Sequence, residues 1–359
     1  MEQINTALGM LDLIREPAFC VHNGVITKVN PAAAAFLIEP GIGVQTLLHT
    51  GIEEYASFSG GCLYLTLAIA GHHMGASVIR MQEFDVFTLE QNGSDANLRA
   101  FALAARELRE PLSNVMTIAD KLFPTVADMG TKAQDQISHI NRGLFQMLRI
   151  ISNMSDADLY TNDTGVRQEI RDICAVLEEI FQRAAVLTEH TGITLKYTGH
   201  PDSVYMLTDV QKLERTVLNI VSNAIKFTPA GGTITAALTR RGTRMYLSVS
   251  DSGSGIADDL RGSIFSRYAR QPGVEDSRYG LGLGMVLIRS TAALHGGTVL
   301  VDHPDGAGTR ITLSFAIRQG DAALRSPRIR IDYAGERDHG LIELSDVLPA
   351  HLYDPDTVN

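Results

Sequence analysis

The stretch that decides the fold of this chain is NIVSNAIKFTPAGG at residues 219–232, followed by DSGSGI at residues 251–256 and GLGLG at residues 280–284. The first segment ends a long amphipathic pattern, and the other two place glycines next to a strand and a helix. Glycine lets the backbone come close to a ligand. All three segments contain glycines that would let the backbone approach a ligand, and together they predict one α/β domain with a single ligand site.

A helix from Asp209 to Phe227 is predicted by the apolar period that leads into the first segment. Asn219, Asn223 and Lys226 recur at spacings of four and three, so they lie one turn apart on a face outside the apolar stripe. Amide oxygens suit a hard cation, and an ammonium group suits a phosphate. By itself the pattern also fits an ordinary amphipathic helix with a polar outer face.

The second segment follows an alternating strand at Leu247 to Ser250 and presents Asp251, whose carboxylate can accept a hydrogen bond from an exocyclic amine. The third segment leads into a helix predicted at Met285 to His295, and its free backbone amides suit phosphates. A glycine hinge without a ligand is the alternative for the third segment alone. A dinucleotide-binding fold is excluded, because its glycine fingerprint follows the first strand of a parallel βαβ unit.

These segments resemble the nucleotide-binding boxes of the histidine kinase branch of the GHKL ATPases, which have the Bergerat α/β sandwich fold. The resemblance implies ATP and Mg²⁺ as cofactors. NIVSNAIKFTPAGG resembles the N box, which implies that Asn223 binds the magnesium ion with Asn219 nearby and that Lys226 contacts phosphate. DSGSGI resembles the G1 box, which implies that Asp251 recognises the adenine amine. The residues beside the base would be Gly253, Gly255 and Ile256.

Two further segments are similar to the same family. IFSRYAR at residues 264–270 resembles the F box, in which Phe265 would anchor a mobile lid from Ile256 to Tyr279. Arg267 or Arg270 of that segment would approach the phosphates. GAGTRITLSF at residues 306–315 resembles the closing strand, with Thr309 near the nucleotide. The resemblance of GLGLG to the G2 box implies phosphate contacts from Gly280, Leu281, Gly282, Leu283 and Gly284.

A helical hairpin is predicted upstream of this domain. Apolar residues follow a heptad period in two runs, which indicates two antiparallel helices. The helix-breaking Pro124 and Gly130 separate the runs. One hairpin exposes more apolar surface than it can cover, so we expect two copies to form a dimeric four-helix bundle. The alternative is a hairpin that packs on another part of its own chain. The two runs are Phe101, Leu108, Val115, Leu122 and Ile137, Ile140, Leu144, Met147, Ile151, Met154.

The first helix carries ARELREPLSNVM at residues 105–116, which resembles the H box but departs from it at the decisive position. Arg106 stands where the phosphate-accepting histidine of the family lies, while Glu107 is retained. A guanidinium group stays protonated and has no free nitrogen lone pair, so ordinary autophosphorylation is expected to fail. Glu110 also replaces the Thr or Asn that helps the family remove phosphate from a response regulator. His139 is the first substitute acceptor to consider, whereas His295 is expected to pack or to cap a helix.

The N-terminal region alternates short strands with a helix. Strands are predicted at Ala18 to Val21, Val25 to Val29, Cys62 to Ala70, Gly75 to Met81 and Asp85 to Leu89. The Asn-Gly step at residues 23–24 favours a hairpin turn, and VNPAAAAFL at residues 29–37 opens a helix. This order resembles a PAS sensor domain. An unrelated small α+β domain is the alternative.

The whole chain is therefore expected to be an α+β multidomain protein. The predicted parts are a PAS-like sensor at 1–92, a dimerisation hairpin at 93–162, an ATP-binding domain at 163–320 and a C-terminal tail at 321–359. In the tail, Arg328 to Tyr333 and Leu341 to Leu348 are expected to be ordered.

Bulk composition limits the partners and the compartment. The net charge of −10, from 31 basic and 41 acidic residues, argues against nucleic acid. The 3 cysteines are far apart and indicate neither a disulfide framework nor a zinc site. No signal peptide or membrane-spanning run is predicted, so a cytoplasmic location is expected.

Two functions remain open at this point. The first is a dimeric sensor histidine kinase that binds MgATP and controls a response regulator. The second is a regulatory pseudokinase that binds ATP and partners an active kinase without phosphoryl transfer.

Overall fold

The computed structural model describes residues 11, 14–81, 83–90, 95–127, 130–159, 168–256, 264–265, 283–303, 308–318 and 337–354. Within those ranges, none of the helices combines the length and the apolar character that crossing a membrane requires. The described elements form an N-terminal sheet domain, a long helical hairpin, an α/β domain and a C-terminal segment. This agrees with the expected α+β class.

The N-terminal domain is a five-stranded antiparallel sheet. Its strands are β1 (Ala18–His22), β2 (Val25–Val29), β3 (Cys62–Ile69), β4 (His72–Arg80) and β5 (Asp85–Leu89), in the order β2-β1-β5-β4-β3. The predicted strands are confirmed to within a few residues, because alternation of apolar and polar residues marks a sheet with one buried face. Between β2 and β3 lie the short helices α1 (Pro31–Ala34) and α2 (Ile52–Ser57).

The hairpin consists of α3 (Asp95–Ala127) and α4 (Thr131–Leu159). The prediction that Pro124 breaks the first helix is wrong, since α3 continues past it to Ala127. A proline removes only one intrahelical hydrogen bond, and the long packed interface with α4 outweighs that loss. The chain turns instead near Gly130, which has a φ of 101° that favours glycine.

The α/β domain packs helices on one face of a five-stranded sheet. The helices are α5 (Ile173–Glu189), α6 (Val210–Phe227) and α7 (Gly284–Leu294). Buried residues of these helices share one core with Met245, Leu247 and Val249, which alternate along a central strand. The strands are β7 (Thr194–Thr198), β9 (Thr233–Arg241), β10 (Arg244–Asp251), β11 (Val299–Asp302) and β12 (Arg310–Ala316). A separate antiparallel pair is formed by β6 (Glu169–Asp172) and β8 (Tyr205–Thr208).

The two sheets join into one sheet of 10 strands. β3 of the N-terminal domain pairs antiparallel with β11 of the α/β domain, and Cys62, Leu63 and Tyr64 lie opposite Val301, Leu300 and Val299. Glu54 supports the junction, since its carboxylate lies 2.5 Å from Nε of Arg244 and accepts from the Tyr246 hydroxyl at 3.3 Å. The two domains therefore contact each other directly, in addition to their connection through the hairpin.

The C-terminal segment (residues 337–354) packs against the hairpin and the α/β domain. It contains α8 (His339–Glu343) and a 3₁₀ turn at Ala350–Tyr353. The ring of Tyr353 meets that of Phe145 on α4 edge to face at a centroid distance of 5.2 Å. Order at Leu341 to Leu348 is thus confirmed, whereas Arg328 to Tyr333 lie outside the described residues.

The sheet junction can be tested with one new cysteine. In Val301→Cys the new thiol lies opposite the native Cys62, and directly opposed residues of antiparallel strands are within reach of a disulfide. Burial raises the pKa of Cys62 to about 12, so the bond should form slowly and only with an added oxidant. We expect the peptide map to show Cys62 cross-linked to the introduced thiol.

Val299→Cys is the matched control, because it lies two residues away and faces Tyr64. Equal loss of the Cys62 thiol in both variants would show that β3 and β11 do not pair in this register.

Candidate functional site

Helix α6 carries the three polar residues that the sequence placed on one face. Asp209 caps its N-terminus, and its side chain accepts from the backbone N–H of Lys212 at 3.1 Å. The alternative of a polar outer face is wrong for two of the three, because Asn219 is only 2% exposed and the Lys226 side chain only 9%. Asn223 lies one turn from both and is half-buried. Buried polar groups require partners, and the side chains of Asn219 and Lys226 have them.

Asn219 is held at both ends of its amide. Its Oδ1 accepts from Nη2 of Arg149 at 3.1 Å, and its Nδ2 donates to Oε2 of Glu343 at 3.3 Å and to the carbonyl of Arg215 at 3.0 Å. A Cβ on Gly284 would lie 3.4 Å from Oδ1 of Asn219, so the N-terminus of α7 is beside this amide. The first and third sequence segments therefore meet.

Lys226 is a buried cation at the other end of the same helix face. Its Nζ donates to Oδ2 of Asp346 at 3.1 Å. Burial lowers the pKa of Lys226, the Asp346 carboxylate opposes that shift, and the nearby Arg149 guanidinium adds to it. An ammonium group in this position needs an anion, and either a carboxylate or a phosphate can supply the charge.

Asp251 ends β10 and organises the loop that follows. Its Oδ1 accepts from the backbone N–H of Gly253 at 2.9 Å and of Thr309 at 3.2 Å. Burial raises the pKa of Asp251, and the two backbone donors and His303 oppose the shift. Thr309 directly precedes β12, the strand that pairs with β10, and this pairing brings it beside Asp251.

The glycines of the second segment are required by close backbone contacts. A Cβ on Gly253 would collide with the carbonyl oxygen of Phe227, the last residue of α6. Ser254 donates its N–H to the same carbonyl at 3.3 Å. Gly255 has a φ of 74°, and Ile256 packs half-buried against the main core. The second segment thus lies against the end of α6, and all three segments converge.

Phe265 anchors the described part of the predicted lid to the N-terminal domain. Its ring lies 5.4 Å from that of Tyr64 on β3, and its carbonyl accepts from Nη1 of Arg289 on α7 at 2.5 Å. The Tyr64 hydroxyl donates to Glu90 at 2.6 Å, and Arg289 forms an ion pair with the same carboxylate.

Several predicted residues of this region lie outside the described residues. Leu283 is buried at the start of α7, and Gly284 is its first residue. Most of the predicted lid is not described. The undescribed site residues are Arg267, Arg270, Gly280, Leu281 and Gly282.

The structure does not bring Arg106 and Glu107 together with the other predicted residues. Both are exposed on α3, as is Glu110. His139 is exposed on α4, where its Nδ1 lies 2.9 Å from the carbonyl of Asp135. It is therefore a surface residue of the hairpin in this arrangement.

His295 has a structural role, as predicted. It is 2% exposed, and burial lowers its pKa. Nδ1 lies 2.7 Å from the carbonyl of Thr291, and Nε2 accepts from the N–H of Asp209 at 3.2 Å. These two bonds fit a neutral ring with its proton on Nδ1, which joins the end of α7 to the start of α6.

Four charged residues beside the site were missed by the sequence reasoning. Arg149 is on α4, Arg215 on α6, and Glu343 and Asp346 in the C-terminal segment. Nε of Arg215 donates to Glu343 at 2.8 Å, and Nη1 of Arg149 donates to Asp346 at 2.6 Å. Heptad spacing marks α4 as a helix, but it does not reveal which distant carboxylate an arginine meets.

Comparison with known sequences bears on this site. The model of the family described as "Histidine kinase-, DNA gyrase B-, and HSP90-like ATPase" matches residues 208–319. The sensor histidine kinase TmoS of Ectopseudomonas mendocina is 27% identical over 261 residues, which cover 72% of this chain and 26% of TmoS. The histidine protein kinase DivJ of Caulobacter vibrioides is 28% identical over 353 residues, which cover 86% of this chain and 58% of DivJ. The match spans less than two thirds of the length of either relative.

Among solved structures, full-length ShkA in complex with AMPPNP is similar with a TM-score of 0.50 and 24% identity. The superposition covers 62% of this chain and 47% of ShkA, and it shows a shared fold. The matched residues 208–319 contain α6, the Asp251 loop and α7, which are the elements that converge in the structure. The chain therefore carries a GHKL-type ATPase domain at residues 208–319, and over most of its length it is similar to histidine kinases.

Proposed function

We propose that the chain is a sensor histidine kinase-type protein of a two-component system that binds one MgATP where α6, the Asp251 loop and α7 meet. The observation that carries the proposal is the convergence of Asn219, Asp251 and the start of α7 from segments far apart in the sequence. Tight glycine contacts and a buried cation are features of a ligand site, and a free-standing helix would need neither.

The residues present fit this nucleotide. Asp251 would accept from the adenine amine, with Gly253, Gly255, Ile256 and Thr309 around the base. Lys226 would neutralise phosphate charge, and Asn223 would offer an amide oxygen to Mg²⁺. The start of α7 would supply backbone N–H groups to the phosphates. When bound, the ion would neutralise phosphate charge, and the protein's part would be positioning and electrostatic stabilisation.

The fate of the γ-phosphate is the second part of the proposal. Arg106 occupies the acceptor position and is exposed, and it cannot accept a phosphoryl group. An active kinase would transfer the phosphoryl group first to another acceptor residue, on this chain or on a partner, and then to the receiver domain of a response regulator. Arg106 and Glu110 also favour the second candidate, a pseudokinase that binds ATP and regulates an active kinase.

We also propose that the protein is a homodimer. Within the hairpin, α3 packs on α4 through Ala105, Leu112, Met116, Ala119 and Phe123. Other predicted heptad residues of α3 face solvent, including Leu108, Val115 and Leu122, each about half exposed. The C-terminal segment covers part of α4 but leaves this stripe open. A stripe of this length on two helices suits a second copy of the hairpin in a four-helix bundle, although a heterodimer with a related kinase would use the same surface.

Dimerisation predicts the effect of one charge in the stripe. Val115→Asp should convert the dimer to a monomer, because a carboxylate would be buried at the seam of the bundle. Ser113→Asp, at an exposed position of the same helix, is the control and should stay dimeric. Sedimentation velocity at low micromolar concentration distinguishes them. A monomeric wild-type chain would contradict the proposal.

The adenine contact predicts a change in base specificity. Asp251→Asn keeps Oδ1 for Gly253 and Thr309 but loses the carboxylate for the adenine amine. We expect the wild-type chain to prefer ATP over ITP, whose base lacks that amine. In the variant the ratio of the affinities for ATP and ITP should fall about tenfold, which corresponds to the loss of one hydrogen bond to a charged group.

Calorimetric titration with both nucleotides gives the two affinities. Asp202→Asn, at an exposed position of the same domain, is the control and should keep the preference. An unchanged ATP to ITP ratio in Asp251→Asn would place the base elsewhere.

The acceptor position predicts the result of one restoration. The wild-type chain should give no acid-labile label at residue 106 with γ-labelled ATP, whereas Arg106→His should become labelled if the other parts of the kinase are in place. Arg106→Gln is the control, because its amide has no nucleophilic ring nitrogen.

Two further outcomes separate the candidate functions. Label on a receiver aspartate with the wild-type chain would exclude the pseudokinase. Failure of Arg106→His to label, although it binds MgATP, would contradict an active kinase site on this chain and favour the pseudokinase.

A further inference from the structure

The C-terminal segment is wedged between α4 and α6, beside the proposed phosphate site. On one side Arg142 and Gln146 of α4 donate to the carbonyl of Ser345 at 2.9 and 3.2 Å. On the other side Nδ1 of His339 lies 2.7 Å from the carboxylate of Glu214 on α6. Arg337 reaches α3, where it donates to Asp120 at 2.6 Å. The segment therefore joins the hairpin to the ATPase domain.

Two carboxylates of the segment contact residues of the proposed nucleotide site. Oδ2 of Asp346 accepts from Nζ of Lys226 at 3.1 Å and from Nη1 of Arg149 at 2.6 Å. Glu343 is fully buried and accepts from Nδ2 of Asn219 at 3.3 Å. Asp346 thus pairs with the lysine that would contact phosphate, and Glu343 accepts a hydrogen bond from the side-chain amide of Asn219.

The charges explain why one anion must replace another. Lys226 and Arg149 share the Asp346 carboxylate, and the two cationic side chains have little access to water, whereas that of Asp346 is 33% exposed. If Asp346 left alone, Lys226 would lose its carboxylate and Arg149 would keep only Glu343, so Asp346 leaves readily only when another anion arrives. A triphosphate brings more negative charge to the same ammonium group, whereas an uncharged nucleoside brings none.

We propose that the C-terminal segment is an autoinhibitory latch, in which Asp346 occupies the phosphate position at Lys226 and is displaced by MgATP. The inference rests on the proposed function, because it concerns the same site. Displacement would weaken the contacts of Ser345 and Asp346 with α4, so nucleotide binding would loosen the ATPase domain from the hairpin. MgATP binding and docking of the C-terminal segment are then thermodynamically linked. MgATP weakens the docking of the segment by the same factor by which the docked segment weakens MgATP binding.

A neutral side chain at position 346 tests the latch. Asp346→Asn should bind MgATP about fivefold more tightly or better, a typical size for coupling between two equilibria. Its affinity for adenosine should be unchanged, since adenosine has no phosphate to compete with Asp346. Glu179→Gln is the control, because it removes an exposed acid of the same domain and should alter neither affinity.

Hydrogen exchange on the wild-type full chain gives a second readout that does not depend on the folding of a variant. The amides of Leu344 and Leu348 donate to carbonyls within the segment at 2.9 and 3.0 Å. MgATP should speed their exchange, and adenosine should not.

The outcomes separate the two proposals. If MgATP binds equally well to the wild-type chain and Asp346→Asn, and the segment's amides exchange at the same rate with and without it, the segment is a structural strap and the latch is wrong. If no protein form binds MgATP or adenosine, the proposed function itself fails.

Discussion

A buried carboxylate, that of Glu343, is the group on which the arrangement of this chain depends. Arg215 of α6 donates to one of its oxygens at 2.8 Å, and Nε of Arg149 on α4 lies 3.4 Å from the other. All three side chains are almost without contact to water. Loss of one partner would leave a buried charge unmatched, at a cost of about 3–5 kcal/mol. One ionic cluster therefore fixes the hairpin, the ATPase domain and the C-terminal segment relative to each other.

The junction of the two sheets is the second constraint on the nucleotide domain. β3 and β11 are edge strands of their own sheets, and their pairing removes two exposed edges at once. Through it Tyr64 contacts Phe265, and Glu90 pairs with Arg289 on α7. Glu90 also lies shortly before α3 begins. A change in the N-terminal domain can thus reach α7 directly as well as through the hairpin.

The sequence predicted the elements of the site well but predicted their surroundings poorly. The helix at residues 210–227, the strand ending at Asp251 and the start of α7 could be located because period and glycine spacing are local signals. The pairing of Lys226 with Asp346 could not, since 120 residues separate them and many acids are available. The β3–β11 pairing was missed because edge strands have no sequence mark for their partner. Pro124 was misread because the packing of two long helices outweighs one missing hydrogen bond.

Convergence of the three glycine and amide segments on one MgATP is the central claim about this chain. Arg106 is exposed on α3 and is not among the residues proposed to hold the nucleotide, so binding can be judged without phosphoryl transfer. The most direct measurement is a crystal structure of the full chain with Mg²⁺ and a non-hydrolysable ATP analogue. We predict adenine against Asp251 and phosphates at Lys226, with Asp346 displaced. A nucleotide bound elsewhere, or a crystal that holds none at saturating concentration, would contradict this claim.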